Sequence, residues 1–168
     1  MESIVLIGMP SSGKSTAGKL LAERFSRVFI DCDDRIRAFA GDSLDRLIAS
    51  RGAEGFLALE EEVLCALKAS GAVVATGGSA VYSPLAMAHL KTLGKLVYLK
   101  LDEAEIERRI PDFTCRGVVM RGSVSTLKEL YAERVPLYEA YAEYTVDCNG
   151  RTVEQTAAAI AVIAGWRI

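Results

Sequence analysis

The sequence predicts an α/β fold in which a parallel β-sheet lies between two layers of helices. Short apolar segments alternate with longer segments of helical periodicity along the chain, and this alternation is typical of βαβ units. The apolar segments are hydrophobic at every position rather than at every second one, as expected for parallel strands that are buried on both faces. A glycine-containing segment joins the first predicted strand to the first predicted helix.

Composition limits the protein to a few classes. The chain has 168 residues, the size of one domain, with 20 Lys and Arg against 22 Asp and Glu. This balance predicts no nucleic-acid partner. The most apolar late segment, residues 157–164, is far shorter than the roughly 20 residues that span a bilayer, so we expect no membrane partner.

Four scattered cysteines and the lack of a leader-like N-terminus predict a cytoplasmic protein, which we expect to be a monomer acting on a small molecule.

Five apolar segments are predicted strands, each bounded by glycine, proline or polar residues. They are residues 3–7, 28–30, 72–75, 95–99 and 144–147.

The segments between them have apolar residues three or four positions apart, which predicts amphipathic helices. Ser43 and Asp102 stand where N-caps are expected, and Pro136 interrupts a helical pattern. The predicted helices are residues 14–25, 33–39, 43–50, 54–70, 83–93, 102–110, 125–141 and one that begins at residue 152.

A phosphate-binding loop is the most specific motif. Residues 8–16 read Gly-Met-Pro-Ser-Ser-Gly-Lys-Ser-Thr and match the pattern G-x-x-x-x-G-K-[ST] in full. Glycines at both ends let the backbone N–H groups turn toward phosphate oxygens, Lys14 reaches the β- and γ-phosphates, and Ser15 ligates Mg²⁺. The nucleotide-binding residues predicted from the loop are Gly8, Ser11, Ser12, Gly13, Lys14, Ser15 and Thr16. The alternative is a turn that fits the pattern by chance. It would require that a complete match also lies by chance between a predicted strand and a predicted helix.

The chain has no Asn-Lys-x-Asp motif of the kind that reads guanine in GTPases. Its size favours a kinase of small metabolites.

Two carboxylates follow the second predicted strand. Asp31 and Asp33 are two positions apart, so on an extended chain they face the same space. One carboxylate beside Mg²⁺ and one beside an acceptor hydroxyl is the pairing that phosphoryl transfer uses. The alternative is that both are solvated turn residues and that Asp33 is a helix N-cap.

Two further segments are candidates for the acceptor site. Gly77 and Gly78 follow the third predicted strand, where they permit close approach to a ligand or form an ordinary tight turn. Arg134 lies two residues before Pro136, which indicates a constrained site; the alternative is a surface arginine paired with a neighbouring glutamate.

Residues 111–123 have little periodicity and are predicted to form a lid. Gly117 and Gly122 can absorb the backbone change of closure, and Arg116 would then neutralise the transferring phosphate. The alternative for Arg116 is a solvated loop arginine.

The chain resembles the shikimate kinase family over essentially its whole length. The matching pieces are the phosphate loop, Asp31-x-Asp33, Thr76-Gly77-Gly78, Arg116 and Arg134-x-Pro136-Leu137-Tyr138. The resemblance implies the three-layer P-loop NTPase fold of nucleoside-monophosphate-kinase-like proteins, with a five-stranded parallel sheet in the order 2-3-1-4-5. It also implies one kinase domain over residues 1–168, a substrate-binding region at about residues 32–60, and ATP-dependent phosphorylation of shikimate with Mg²⁺.

The resemblance also implies roles for individual residues. Those implied for catalysis are Lys14, Asp33 and Arg116. Those implied for the acceptor are Asp33, Gly77, Gly78 and Arg134. Those implied for the metal are Ser15 and Asp31. Arg109 is expected to stack on adenine and, with Arg116, to complete the nucleotide site.

The acceptor half departs from the family pattern. The family has an arginine in a Phe-Arg-x-x-Glu segment, where it pairs with the substrate carboxylate; residue 57 of this chain is Leu57. The third glycine of the family's triplet is Ser79. Arg35 and Arg37 are the candidates to replace the missing arginine. These departures leave open a sugar, polyol or other small hydroxylated acceptor, or a nucleotide-binding relative without transfer activity.

Overall fold

Five parallel strands form the centre of the protein in the computed structural model, which describes residues 1–110 and 117–166. They are β1 (Ser3–Ile7), β2 (Phe29–Asp31), β3 (Val73–Ala75), β4 (Gly94–Lys100) and β5 (Tyr144–Asp147). Their order in the sheet is β2-β3-β1-β4-β5. The α/β class and the strand order implied by the resemblance are therefore confirmed.

Helices surround this sheet. They are α1 (Lys14–Arg24), α2 (Cys32–Ala40), α3 (Leu44–Cys65), α4 (Pro84–Leu93), α5 (Glu103–Arg109), α6 (Leu127–Tyr141) and α7 (Val153–Ala164), with a short 3₁₀ helix at Ala80–Tyr82. Within the described residues, none of them combines the length and the apolar character that crossing a membrane requires.

The position of the central strand β1 determines where a ligand-binding site can form. All of its residues are buried, and it pairs with β3 on one side and with β4 on the other. Because the strands are parallel, the carboxyl ends of β1, β2 and β3 meet at one edge of the sheet. Gly8, Asp31 and Thr76 therefore emerge side by side.

A second, smaller core lies under the α2–α3 region, apart from the main core around the sheet. Its buried members are Ile36, Leu47, Phe56, Leu59, Val63 and Val119. This cluster holds α2 and α3 together and so supports the region that the sequence assigned to the acceptor.

The two helices predicted at residues 43–50 and 54–70 appear as the single element α3, with a break inside it. Gly52 has φ 71° and ψ 175°, which no helix accommodates, so the predicted separation is real. Ser43 caps the first segment, as predicted, by accepting a hydrogen bond from the Arg46 N–H at 3.4 Å. The second segment ends at Cys65 rather than residue 70.

Two predictions at helix ends and interiors were wrong. Asp102 stands at the N-cap of α5, but its side chain makes no capping hydrogen bond. Pro136 lies inside α6 and the helix continues to Tyr141, so the proline does not interrupt it. A proline removes one backbone hydrogen bond, and Arg134 and Tyr138, both buried on either side of it, hold the helix in place.

Gly94 is the tightest point of the sheet, since a Cβ there would lie 1.9 Å from the backbone oxygen of Ser3. We expect Gly94→Ala to lower the free energy of unfolding by about 3 kcal/mol, because β1 and β4 must separate to admit the methyl group. Urea unfolding measures this change. In the control Gly165→Ala the methyl group enters open space at φ 70°, and about 1 kcal/mol is expected. Equal losses in both variants would contradict the steric explanation.

Candidate nucleotide and acceptor site

A large cavity, with a volume of about 510 Å³, lies at the carboxyl edge of the sheet. The phosphate loop forms one wall, and the start of α2 and the residues after β3 form the others. Arg109 and Arg134 border it at different points. The structure thus brings together most of the residues that the sequence singled out.

The phosphate loop has the backbone that its glycines allow. Gly8 has φ 147° and Gly13 has φ 93°, both in the region that side chains rarely adopt. A Cβ on Gly8 would also lie 2.8 Å from the backbone oxygen of Leu99. Because α1 begins at Lys14 and has no side-chain cap, its first N–H groups remain available to an anion.

Lys14 is enclosed by this loop and is 8% exposed. Its ammonium group donates to the backbone oxygens of Gly8 and Met9, each at 2.7 Å. Burial lowers the pKa of Lys14 to about 8, and the negative charges of Asp33 and Asp31 oppose that shift. The lysine therefore remains mostly protonated at neutral pH and is held where a phosphate would pass.

Ser15 and Asp31 form an oxygen pair at the entrance of the loop. The Ser15 hydroxyl donates to Asp31 Oδ2 at 2.8 Å. A hydroxyl and a carboxylate this close are hard oxygen ligands of the type that Mg²⁺ selects, so the residues present fit the metal that the sequence predicted.

Asp33 lies in the first turn of α2 rather than on extended chain, so the predicted face shared with Asp31 along a strand was wrong. The N-cap of α2 is Asp31, whose Oδ1 accepts a hydrogen bond from the Asp33 N–H at 3.0 Å. The helix turn nevertheless directs Asp33 into the large cavity. Burial and then the nearby Asp31 raise the pKa of Asp33, and Lys14 opposes them.

Gly77 and Gly78 are closely surrounded, which excludes an ordinary exposed turn. A Cβ on Gly77 would lie 2.7 Å from Glu60 Oε1, and one on Gly78 would lie 2.8 Å from Arg134 Nη1. The Gly78 carbonyl accepts a hydrogen bond from the Tyr138 hydroxyl at 2.6 Å. Backbone rather than side chain therefore lines this part of the cavity.

Arg134 is buried, with 1% of its surface exposed, so the alternative of a surface arginine was wrong. Its Nε donates to the Tyr82 hydroxyl at 3.1 Å and its Nη2 donates to the Val119 carbonyl at 2.6 Å. These contacts fix the guanidinium plane and leave Nη1 against Gly78, at the border of the large cavity.

Arg109 closes the nucleotide end of the cavity. Its Nη1 donates to the Ser11 carbonyl at 3.2 Å, and its Nε donates to Glu105 at 2.9 Å. The guanidinium is thus held beside the phosphate loop with a planar face that a base can stack on.

Arg116 lies outside the described residues, as does the first half of the predicted lid. Its catalytic role stays a prediction. In the described part, Gly117 and Gly122 have φ 59° and 55°, and Val119 is buried in the smaller core.

Leu57 does not border the large cavity. It borders a second cavity of about 250 Å³, which Ser79, Glu60 and Arg121 also line. Of the two arginines considered as replacements, Arg37 lines the large cavity and pairs with Asp34 at 2.6 Å.

Arg35 is exposed and does not border either of these cavities among the described residues.

Sequence reasoning missed Glu60, Tyr82 and Tyr138 as site residues. Glu60 carried a signal, because a charged residue stands on the apolar face of α3 that also presents Phe56 and Val63. Tyr138 carried one as well, because it ends the Arg134-x-Pro136-Leu137-Tyr138 segment of the resemblance, whereas Tyr82 carried none.

Comparisons with known proteins identify the family of this chain. The family model for shikimate kinase matches residues 10–164. The chain is 37% identical to a shikimate kinase of Thermobifida fusca over 158 residues, 94% of this chain and 91% of that protein. It is 35% identical to one of Thiobacillus denitrificans over 154 residues, 90% of this chain and 84% of that protein.

A solved structure of the shikimate kinase from Acinetobacter baumannii in complex with shikimate has the same fold. It matches with a TM-score of 0.84 and 28% identity, over 98% of this chain and 94% of that one. The chain belongs to the shikimate kinase family.

Proposed function

We propose that the protein transfers the γ-phosphoryl group of ATP to a hydroxyl of shikimate, forming shikimate 3-phosphate and ADP. The observation that carries this proposal is the cavity that holds the Lys14 phosphate loop and the half-buried Asp33 carboxylate together. Membership of the shikimate kinase family supports the choice of acceptor.

The phosphate loop binds the nucleotide. Open N–H groups at the start of α1 and the Lys14 ammonium group contact the β- and γ-phosphates and stabilise the charge that spreads over the transferring group. Ser15 and Asp31 hold Mg²⁺, which supplies additional positive charge to the phosphates when bound. Arg109 offers its guanidinium face to the adenine ring.

Asp33 binds the acceptor hydroxyl and takes its proton. As the hydroxyl oxygen bonds to the γ-phosphorus, the bond from that phosphorus to the bridging oxygen breaks and ADP leaves with the electron pair. Arg134 directs Nη1 at the acceptor and pairs with its carboxylate. The backbone of Gly77 and Gly78 allows the ring to approach closely.

The lid at residues 111–123 closes over both ligands in this proposal and brings Arg116 to the phosphate, which also excludes water. We infer that the protein acts as a monomer, and its scattered cysteines favour a cytoplasmic location.

A neutral acceptor such as a polyol is the second candidate, favoured by Leu57. Leu57 offers a carboxylate no cation, whereas a neutral acceptor needs none; Leu57 itself borders the second cavity and not the large one.

Lys14→Ala is expected to lower kcat by roughly 10²–10³-fold, because the ammonium contact strengthens as charge develops on the phosphoryl group. A coupled assay of ADP release measures kcat. Lys19 is exposed on the same helix, so Lys19→Ala should leave kcat unchanged. Normal turnover of the Lys14 variant would remove the phosphate-loop assignment.

Asp33→Asn and Asp31→Asn are expected to have different defects. The Asp33 variant should lose roughly 10²–10⁴-fold in kcat with nearly unchanged ATP affinity, because no base takes the hydroxyl proton. The Asp31 variant should instead need more Mg²⁺ for half-maximal rate, since one oxygen ligand loses its charge. Kinetics at varied ATP and Mg²⁺ separate the two, with Asp34→Asn as the exposed control. Identical defects in ATP affinity alone would show that the division of roles is wrong.

Leu57→Arg separates the two acceptor candidates. With shikimate, the added guanidinium should lower KM by up to roughly 10- to 150-fold, because it offers the carboxylate a charge-assisted hydrogen bond. With an analogue that carries a hydroxymethyl group in place of the carboxylate, KM should not fall, because the added guanidinium finds no carboxylate on that acceptor. Steady-state kinetics with both substrates measure the two KM values. Unchanged KM for both would place residue 57 outside the acceptor site.

A further inference from the structure

Arg134 is a buried cation that forms no ion pair with a carboxylate among the described residues. It is 1% exposed, and each ion pair in the described part of the chain joins other residues. A buried guanidinium is costly unless other groups satisfy it. Here neutral oxygens do so, because the Tyr82 hydroxyl accepts a hydrogen bond from Nε and the Val119 carbonyl accepts one from Nη2.

Neutral partners orient Arg134 without cancelling its charge. An acidic side chain in place of the Tyr82 hydroxyl would form a charge-assisted pair with the guanidinium, and a carboxylate on a ligand would have to compete with that pair. A phenol and a peptide carbonyl instead provide hydrogen bonds and leave the positive charge available. This is the arrangement expected of a group that recognises an anion.

Tyr82 is held in place by its own backbone. It ends the 3₁₀ helix Ala80–Tyr82, whose first two residues are buried, and its N–H donates to the Ser79 carbonyl at 3.0 Å. This short helix follows Gly78 and Ser79, which line the large cavity. The segment that lines the acceptor part of the cavity therefore also presents Tyr82 to Arg134.

A second arginine contacts the ring of the same tyrosine. The Arg121 Cζ lies 4.7 Å from the centre of the Tyr82 ring, and the Arg134 Cζ lies 5.1 Å from it. Both distances are within the range of a cation–π interaction. Arg121 is exposed and stands two residues after Val119. Residues 119–121 therefore contact Arg134 directly through the Val119 carbonyl and indirectly through Tyr82.

We propose that Tyr82 is a positioning residue that directs Arg134 at a carboxylate on the acceptor, and that Arg121 holds the Tyr82 ring in place. The proposal rests on the proposed function, in which Arg134 pairs with the carboxylate of shikimate. Fixed oxygens occupy Nε and Nη2, so Nη1 is the nitrogen left beside Gly78 at the border of the large cavity. A neutral acceptor would gain nothing from this arrangement.

Tyr82→Phe removes the hydroxyl and keeps the ring. We expect KM for shikimate to rise about tenfold, because Arg134 loses the acceptor of its Nε–H and its guanidinium turns from the position that fits a carboxylate. We expect kcat to change by less than about threefold. KM for the analogue with a hydroxymethyl group in place of the carboxylate should keep its wild-type value. If the importance of Tyr82 were only structural, the variant would lose activity equally with both acceptors.

Tyr131→Phe is the matched control. Tyr131 lies on the same helix as Arg134 and its hydroxyl donates to the Leu101 carbonyl at 3.2 Å, so this variant loses a tyrosine hydroxyl that Arg134 does not use. It should keep the wild-type KM for shikimate. An unchanged KM for shikimate in Tyr82→Phe, or an equal rise with both acceptors, would overturn the proposal.

A double-mutant cycle tests Arg121. Arg121→Gln alone should raise KM for shikimate about threefold, because the ring of Tyr82 is held less tightly. In the Tyr82→Phe background the same change should have no effect, since the ring no longer bonds to Arg134. A direct contact between Arg121 and the acceptor would persist in that background. Equal effects in both backgrounds, or none in either, would therefore overturn the role of Arg121.

A measurement without any acceptor separates this proposal from the proposed function. Nitrogen-15 NMR of the Arg134 Nε–H reports its hydrogen bond to Tyr82 through the rate of exchange with solvent. Tyr82→Phe should speed this exchange about tenfold, and Tyr131→Phe should leave it unchanged. If shikimate is not the acceptor, the wild type gives no shikimate-dependent release of ADP while the exchange result stands. Equal exchange rates in Tyr82→Phe and the wild type would overturn the positioning of Arg134 by Tyr82.

Discussion

Burial of charge at one edge of the sheet is the constraint on which the rest of this structure depends. Lys14, Glu60 and Arg134 are each less than a tenth exposed, and Asp33 lies beside them. Buried ions are tolerated only when other groups satisfy them. Loop carbonyls hold Lys14, and a tyrosine and a carbonyl hold Arg134. The reacting groups are thus rigid before a ligand arrives, which is the condition for electrostatic catalysis.

The glycines of the site, which have no side chain, are as important as its charged residues. Gly8 leaves room for the Leu99 carbonyl, Gly77 leaves the gap between two carboxyl groups, and Gly78 leaves room for Arg134. Each gap lets a polar group come closer than a Cβ would permit. In a protein interior, where the dielectric constant is low, the distance between two charges strongly affects their interaction energy.

The two halves of the site differ in how closely they follow the family. The nucleotide half keeps every element of its motif. In the acceptor half, Leu57 and Ser79 stand where the family has an arginine and a glycine, and both border the cavity that Glu60 lines. The serine supplies Glu60 with a hydrogen bond, so the two departures meet at one carboxyl group.

By itself, the sequence determined the fold class, the strand positions and the phosphate loop, because these depend on local patterns: apolar runs, helical periodicity and one contiguous motif. It also singled out Asp31, Asp33 and Arg134, although the helical turn that carries Asp33 and the burial of Arg134 were not foreseen. Only the tertiary structure decided that Glu60 and Asp33 both approach Gly77 and that Leu57 borders a separate cavity. Those contacts join α3 to α2 and to the segment after β3, and the relative placement of distant elements depends on packing across the whole core, which no local pattern records.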